Sequence, residues 1–316
     1  MAAQPEAPPP SSSLHPHPLL LAGPTAVGKS EIAVQLAERL GGEIISVDSM
    51  QVYRGLDIGT AKPAPEERAR VLHHLIDMVD LTESFDAAQF VQRARRAVAD
   101  IQARGRLPIL CGGTGLYFKA FLEGLGHAPP ADAALRATLE TIPLPDLLRE
   151  LAERDPVTYE RIDRQNPRRV IRAIEVIRLT GHPFSSQRAD WQNAARTTQH
   201  AANCFGLART PADLQWRIDT RVDAMFRRGW VAETEALLRR GLAENQTAMQ
   251  ALGYRQIVEH LHGKRSLPGT VELVKIRTRQ FAKRQMTWFR RQLRLTWIHL
   301  EPQGSAEAVA KAIAAL

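Results

Sequence analysis

The chain has 316 residues, 44% of them apolar, with 42 lysines and arginines against 34 aspartates and glutamates, a formal net charge of +8. That length and composition fit one large or two smaller globular domains, and no run approaches the roughly 18 apolar residues of a membrane span. The two cysteines, Cys111 and Cys204, fall in predicted buried strands at no metal-ligand spacing and read as free structural thiols of a cytoplasmic protein.

Residues 1–18 are rich in Pro and Ser and read as a disordered tail. They hold no Arg or Lys, which argues against a secretory signal or an organellar transit peptide. An apolar run, Leu19–Ala22, predicts a strand, and Glu31–Leu40 predicts a helix. Between them Gly23-Pro24-Thr25-Ala26-Val27-Gly28-Lys29-Ser30 fits the phosphate-loop pattern G-x-x-x-x-G-K-[ST] without a mismatch. Glycines let backbone N–H groups turn inward around phosphate oxygens, and the positive end of the following helix favours the anion. Lys29 would reach a terminal phosphate and Ser30 would offer its hydroxyl to Mg²⁺. A tight glycine turn is the plainer reading, and ATP is the default guest of such a loop.

A second strand is predicted at Glu43–Val47, followed by Asp48-Ser-Met-Gln-Val-Tyr-Arg-Gly-Leu-Asp-Ile-Gly-Thr-Ala-Lys-Pro63. Ligands of open α/β sheets bind beyond the carboxyl ends of strands, so Asp48 is placed beside the phosphate loop. There it can hold Mg²⁺ directly or through water, act as a general base, or simply cap a turn with Ser49. Further strands are predicted at Leu75–Val79, Pro108–Cys111, Asn203–Leu207 and Leu295–Leu300, with a helix at Ala87–Ala103. A third glycine-rich segment, Cys111-Gly-Gly-Thr-Gly-Leu-Tyr117, puts Thr114 at the same crevice mouth. Strands alternating with helices imply a mostly parallel sheet with helices on both faces, the architecture of phosphate-loop NTPases.

From about residue 126 to 199 that rhythm breaks, with helical patterns at Asp146–Glu153 and Arg168–Leu179 and no convincing strand. It reads as a helical insertion, leaving 19–125 and 200–316 as the α/β core. Between Lys264 and Arg294, ten basic residues (Lys264, Arg265, Lys275, Arg277, Arg279, Lys283, Arg284, Arg290, Arg291, Arg294) stand against one acid, Glu272, a local charge of +9. Val274, Phe281, Trp288 and Leu295 recur every seven residues as one apolar stripe, with Arg279, Lys283, Arg290 and Arg294 opposite. One sign so dominant points to a polyanionic partner, most simply a nucleic acid, beside the plainer reading of a solvated helix face.

These segments together resemble the tRNA dimethylallyltransferases, also called tRNA isopentenyltransferases, from Leu20 to about Leu300. The resemblance rests on GPTAVGKS (Gly23–Ser30), DSMQVYRGLDIGTAKP (Asp48–Pro63), HHLID (His73–Asp77) and GGTGLYFKA (Gly112–Ala120). It continues through QNPRRVIRAIEV (Gln165–Val176), RVDAMFRRG (Arg221–Gly229), ALGYRQ (Ala251–Gln256) and RTRQFAKRQMTWFR (Arg277–Arg290). The Pro-rich tail lies outside the pattern, and with no zinc-finger spacing the chain looks like the minimal bacterial form.

The resemblance implies transfer of a dimethylallyl group from dimethylallyl diphosphate to N6 of the adenosine at tRNA position 37, next to the anticodon. It implies that Gly23, Pro24, Thr25, Ala26, Val27, Gly28, Lys29 and Ser30 hold the diphosphate with Mg²⁺ on Ser30, and that Arg221 reaches it from the other side. Asp48 would take the N6 proton with Thr114 orienting the pair. The tRNA anticodon stem-loop would be met by Asp48, Ser49, Met50, Gln51, Thr114, Arg136, Gln165, Asn166, Pro167, Arg168, Arg169, Gln250, Ala251, Leu252, Gly253, Tyr254 and Arg255. Arg277, Arg279, Lys283 and Arg284 would add basic contacts. A monomer without membrane attachment is expected. A small-molecule kinase, a free-nucleotide prenyltransferase and a non-catalytic RNA-binding protein are the competing readings; the first two have less use for the +9 segment, the third none for the Lys29–Ser30–Asp48 set.

Overall fold

The computed structural model describes residues 17–189 and 203–316. Most of the tail reading, residues 1–16, and the C-terminal limit of the insertion, near 199, lie outside the described residues. Six parallel strands form one sheet in the order β3-β2-β4-β1-β5-β6. They are β1 (Leu19–Ala22), β2 (Gly42–Val47), β3 (His73–His74), β4 (Leu107–Gly112), β5 (Cys204–Ala208) and β6 (Thr296–His299). Strands β1, β2, β4 and β5 are buried on both faces, as parallel strands covered by helices must be. Helix α1 (Lys29–Leu40) buries Ile32, Ala33, Val34, Leu36 and Ala37 against the sheet, alongside Ile109, Cys111, Phe205 and Leu207. Both cysteines are free and buried.

Five predicted strands are present, each within one residue at its ends; the strand predicted at Leu75–Val79 is not. There β3 stops at His74, because Leu75 (φ 61°) and Asp77 (φ 56°) adopt the left-handed region, which no strand tolerates. The bend turns Asp77 onto Lys62, and Lys62 also reaches the Tyr53 carbonyl at 2.6 Å and Asp57 at 2.7 Å. A buried ammonium thus pins the 48–63 segment from behind.

Chain packing separates Met1–Phe118 with His200–Leu316 from a second compact unit, Lys119–Gln199. The second unit begins inside helix α4 (Gly115–Glu123), earlier than the break read near residue 126. Its core joins Leu139, Leu147, Leu151, Val170, Ile174 and Ile177. Buried Glu175 organises it, accepting from the Asp132 backbone N–H (2.9 Å), Arg136 (2.7 Å) and Arg172 (2.7 Å).

In the first unit, the C-terminal ends of β2, β4 and β1 finish level: Gly112 pairs in register with both Val47 and Ala22. Residues 48, 113 and 23 therefore leave the sheet side by side. Gly112 has no room for a side chain, since a Cβ there would lie 2.1 Å from the Val47 carbonyl oxygen. Gly112→Ala should lower the unfolding free energy by about 3 kcal/mol, because backbone cannot retreat as a side chain can; urea denaturation followed by circular dichroism measures it.

Candidate active site

The phosphate loop runs from β1 into α1. Gly28 (φ 108°) caps the helix in a conformation that side chains resist, and Ala26 (φ 63°) is also left-handed. The first N–H groups of α1 have no helical partner. Two arginines that follow β5 grip the outside of the loop. Arg209 Nε donates to the Val27 carbonyl (2.9 Å) and its Nη1 to Asp213 (2.7 Å), while Arg217 Nε donates to the Ala26 carbonyl (3.0 Å). Arg217 lies on α10 (Pro211–Arg227), and its pKa is lowered, first by burial and then by Arg209. Within the loop, Lys29 Nζ donates to the Pro24 carbonyl at 2.7 Å. Burial lowers the Lys29 pKa to about 8, with Arg221 adding to the fall and Cys111 and Asp48 opposing it. Ser30 is exposed.

Asp48 follows β2. Its Oδ1 accepts from the backbone N–H groups of Met50 (2.8 Å) and Gln51 (3.2 Å), so one oxygen caps a turn, while Oδ2 has no protein hydrogen bond among the described residues. Thr114 Oγ1 accepts from the Ser49 N–H at 3.1 Å, so Thr114 orients Asp48 through the backbone. The Arg221 guanidinium is desolvated, which lowers its pKa, and the Asp48 carboxylate pulls it back up. Thr25, Ala26, Asp48, Ser49, Met50, Thr114 and Arg221 line one crevice of about 770 Å³.

Gln250, Ala251, Leu252, Arg255, Arg277 and Arg284 line the same crevice. Other expected contacts are elsewhere. Gln51 spends its amide on Ser46 (2.8 Å) and the Thr60 carbonyl (3.1 Å). Tyr254, at the start of α12 (Tyr254–Leu261), is fully buried and donates to Glu233 at 2.7 Å. Gly253 abuts Trp230, with no space for a Cβ. The basic segment forms α13 (Leu267–Gln292), whose buried face is Thr270, Val274, Ala282, Gln285 and Phe289. Phe281 is 37% exposed and lines the crevice, and Leu295 lies beyond the helix. The stripe is thus partly the wall of an open site. Arg279 is not on the free face: it pairs with Asp219 at 3.5 Å, because α13 packs along α10. Lys283 lies with Arg284, Trp288 and Arg291 along a surface groove of about 520 Å³.

Within the second unit, Asn166 caps α8 (Pro167–Thr180), accepting from the Arg169 N–H at 3.4 Å. Gln165, Pro167, Arg168 and Arg169 are exposed there. Arg136 is held by Glu175.

Sequence reasoning missed Arg209, Arg217, Glu233 and Gln285. Glu233, on α11 (Trp230–Leu238), accepts from the backbone N–H of Ile58 at 2.7 Å as well as from Tyr254, tying two crevice-lining segments together. Gln285 accepts from the Thr25 N–H at 2.9 Å and donates to the Gly113 carbonyl at 2.8 Å. Its signal was legible: 11 residues from Val274, it falls within ~20° of that residue on a helix, a polar side chain in an apolar stripe.

A family model described as IPP transferase matches residues 51–292. The chain belongs to that family. Among IPP transferase relatives, the tRNA dimethylallyltransferase 1 of Trichlorobacter lovleyi is 46% identical over 93% of this chain and 96% of its own. The tRNA dimethylallyltransferase of Methylococcus capsulatus is 44% identical over 95% of this chain and 97% of its own. The crystal structure of the full-length tRNA isopentenylpyrophosphate transferase from Bacillus halodurans aligns with TM-score 0.67 at 39% identity, covering 94% of this chain and 95% of that one. A eukaryotic dimethylallyltransferase acting on tRNA aligns with TM-score 0.77 at 28% identity, covering 94% of this chain and 77% of that one.

The Lys29 ammonium has a measurable consequence. Its pKa falls from 10.5 in the unfolded chain to about 8 in the fold, so between those values the unfolded chain binds more protons, and stability should rise with pH across that window. Binding of inorganic pyrophosphate should weaken above pH about 8 as the ammonium is lost. Isothermal titration against pH should show this for the native protein and a flatter profile for Lys29→Arg.

Proposed function

We propose that the chain transfers a dimethylallyl group from dimethylallyl diphosphate to N6 of the adenosine at tRNA position 37, releasing diphosphate. The observation that carries this reading is the single crevice in which Thr25, Asp48, Thr114 and Arg221 stand together with Arg255, Arg277 and Arg284. A wall of arginines leading to the phosphate loop suits an acceptor that is itself a polyanion.

The chemistry follows from charge. As the C1–O bond of the donor breaks, its electron pair passes to the diphosphate, and stabilising that growing charge lowers the barrier. Lys29, the loop amides and Arg221 supply positive charge from two sides. Oxygen donors at the loop, the Ser30 hydroxyl with the diphosphate's own oxygens, suit Mg²⁺, which needs few protein ligands when phosphates complete its shell. Among the described residues no cluster of three His, Cys, Asp or Glu could hold a metal unaided. Such an ion, when bound, would neutralise charge on the leaving group.

The acceptor nitrogen is a weak nucleophile because its lone pair is delocalised into the purine. Asp48 Oδ2 accepts the N6 proton as N6–C1 forms, while Oδ1 keeps the carboxylate aimed by its turn bonds. The adenosine must leave its stack to reach this depth, and the Gln250–Leu252 wall with Arg255 receives it. Exposed Arg168 and Arg169 of the second unit would meet phosphates, positioning RNA without reading sequence.

Because Asp48 caps a turn, Asp48→Asn separates its two roles more cleanly than Asp48→Ala. The amide keeps an acceptor for Met50 and Gln51 but takes no proton. With carbon-labelled dimethylallyl diphosphate and unmodified tRNA, Asp48→Asn should lose about 10²–10⁴-fold in kcat while binding tRNA normally. Label in free adenylate rather than tRNA, or phosphate transfer from ATP, would contradict the proposal.

A further inference from the structure

Gln285 is the one side chain, among the described residues, that hydrogen-bonds to both the phosphate loop and the loop after β4. Its amide orientation is chemically fixed, because the Thr25 N–H can only donate and the Gly113 carbonyl can only accept. The side chain is buried, 9% exposed, and Gly113 makes room for it: a Cβ there would stand 2.5 Å from Nε2. The loop it touches goes on at once to Thr114, whose N–H donates to Val47 (3.2 Å) and whose Oγ1 accepts from Ser49, next to Asp48. A continuous line of hydrogen bonds therefore runs from Thr25 through Gln285 and the 113–114 loop to the residue beside the carboxylate.

On the proposed prenyl-transfer reading, we infer that Gln285 is a positioning residue, setting the separation between the diphosphate cradle and the proton-accepting carboxylate without itself reacting. Reacting atoms must lie within a few tenths of an ångström of their productive separation, and a misplacement of about 1 Å costs on the order of 10²-fold in rate. An amide bonded at both ends fixes that separation where two loops leaving different strands would otherwise move independently. The helix does not depend on Gln285 for its seat: Trp288 lies against Gly115, and buried Phe289 meets Phe118 edge-on at 6.2 Å between centroids. Gln285→Met should therefore fold.

The test compares native protein, Gln285→Met and Gln285→Glu. The methionine variant removes both bonds at similar volume; the glutamate keeps the acceptor for Thr25 and loses the donor to Gly113. Single-turnover transfer to an anticodon stem-loop should fall about 10²-fold in Gln285→Met. The dissociation constants of the stem-loop and of the unreactive donor analogue dimethylallyl S-thiolodiphosphate should stay within about threefold, with the melting temperature lowered by no more than a few degrees. Gln285→Glu should show the same split at the stem-loop and decides the matter if the methionine variant does not fold. A native-like rate in either folded variant, or a rate loss matched by equal losses of binding and melting temperature, overturns the inference. Absence of transfer by the native protein would instead overturn the functional proposal.

Discussion

Everything at this site depends on three strands ending level. Val47, Gly112 and Ala22 share one row of the sheet, so the carboxylate, the threonine loop and the phosphate loop begin at the same height. The row closes only because Gly112 has no Cβ, which lets β2 and β4 approach through their backbones. Parallel strands achieve this alignment without further devices, since each βα unit delivers its loop to the same edge.

Charge then divides the labour. Arg209 and Arg217 hold the carbonyls of Val27 and Ala26, while the first N–H groups of α1 have no helical partner, the condition an anion site at a helix start needs. Burial lowers the pKa of both Lys29 and Arg221, and the Asp48 carboxylate acts on each to raise it again, while Arg221 repels Lys29. An anion entering this space relieves like-charge repulsion as it binds. Arg255, Arg277 and Arg284 line the same crevice, so on the proposed reading a polyanion would be drawn toward the phosphate loop.

Much of this was legible in the sequence. The phosphate loop and the strands that bracket it follow from glycine spacing and apolar runs, which are local signals. Residues 75–79 misled because Leu75, Ile76, Met78 and Val79 look like a strand, whereas left-handed turns at Leu75 and Asp77 interrupt it and bring Asp77 onto Lys62, a partner outside the segment. Arg279 looked free on a basic helix because its partner, Asp219, sits 60 residues upstream on another helix. The resemblance puts Tyr254 among the tRNA contacts, but it is buried beside Glu233 and Trp230, a neighbourhood that only the fold assembles. Periodicity identifies which face of a helix is special and cannot say whether that face is packed or lines an open site, the distinction that separates Val274 from Phe281.

On the proposed reading, a loop of nucleotide-binding type holds the diphosphate of a prenyl donor as a leaving group. A crystal structure with dimethylallyl S-thiolodiphosphate tests it most directly. Both phosphates should lie inside the 23–30 loop, with Lys29 Nζ moved from the Pro24 carbonyl to a phosphate oxygen, Arg221 on the opposite side, and C1 turned toward Asp48. A diphosphate bound elsewhere, or one whose prenyl group points away from Asp48, would contradict it.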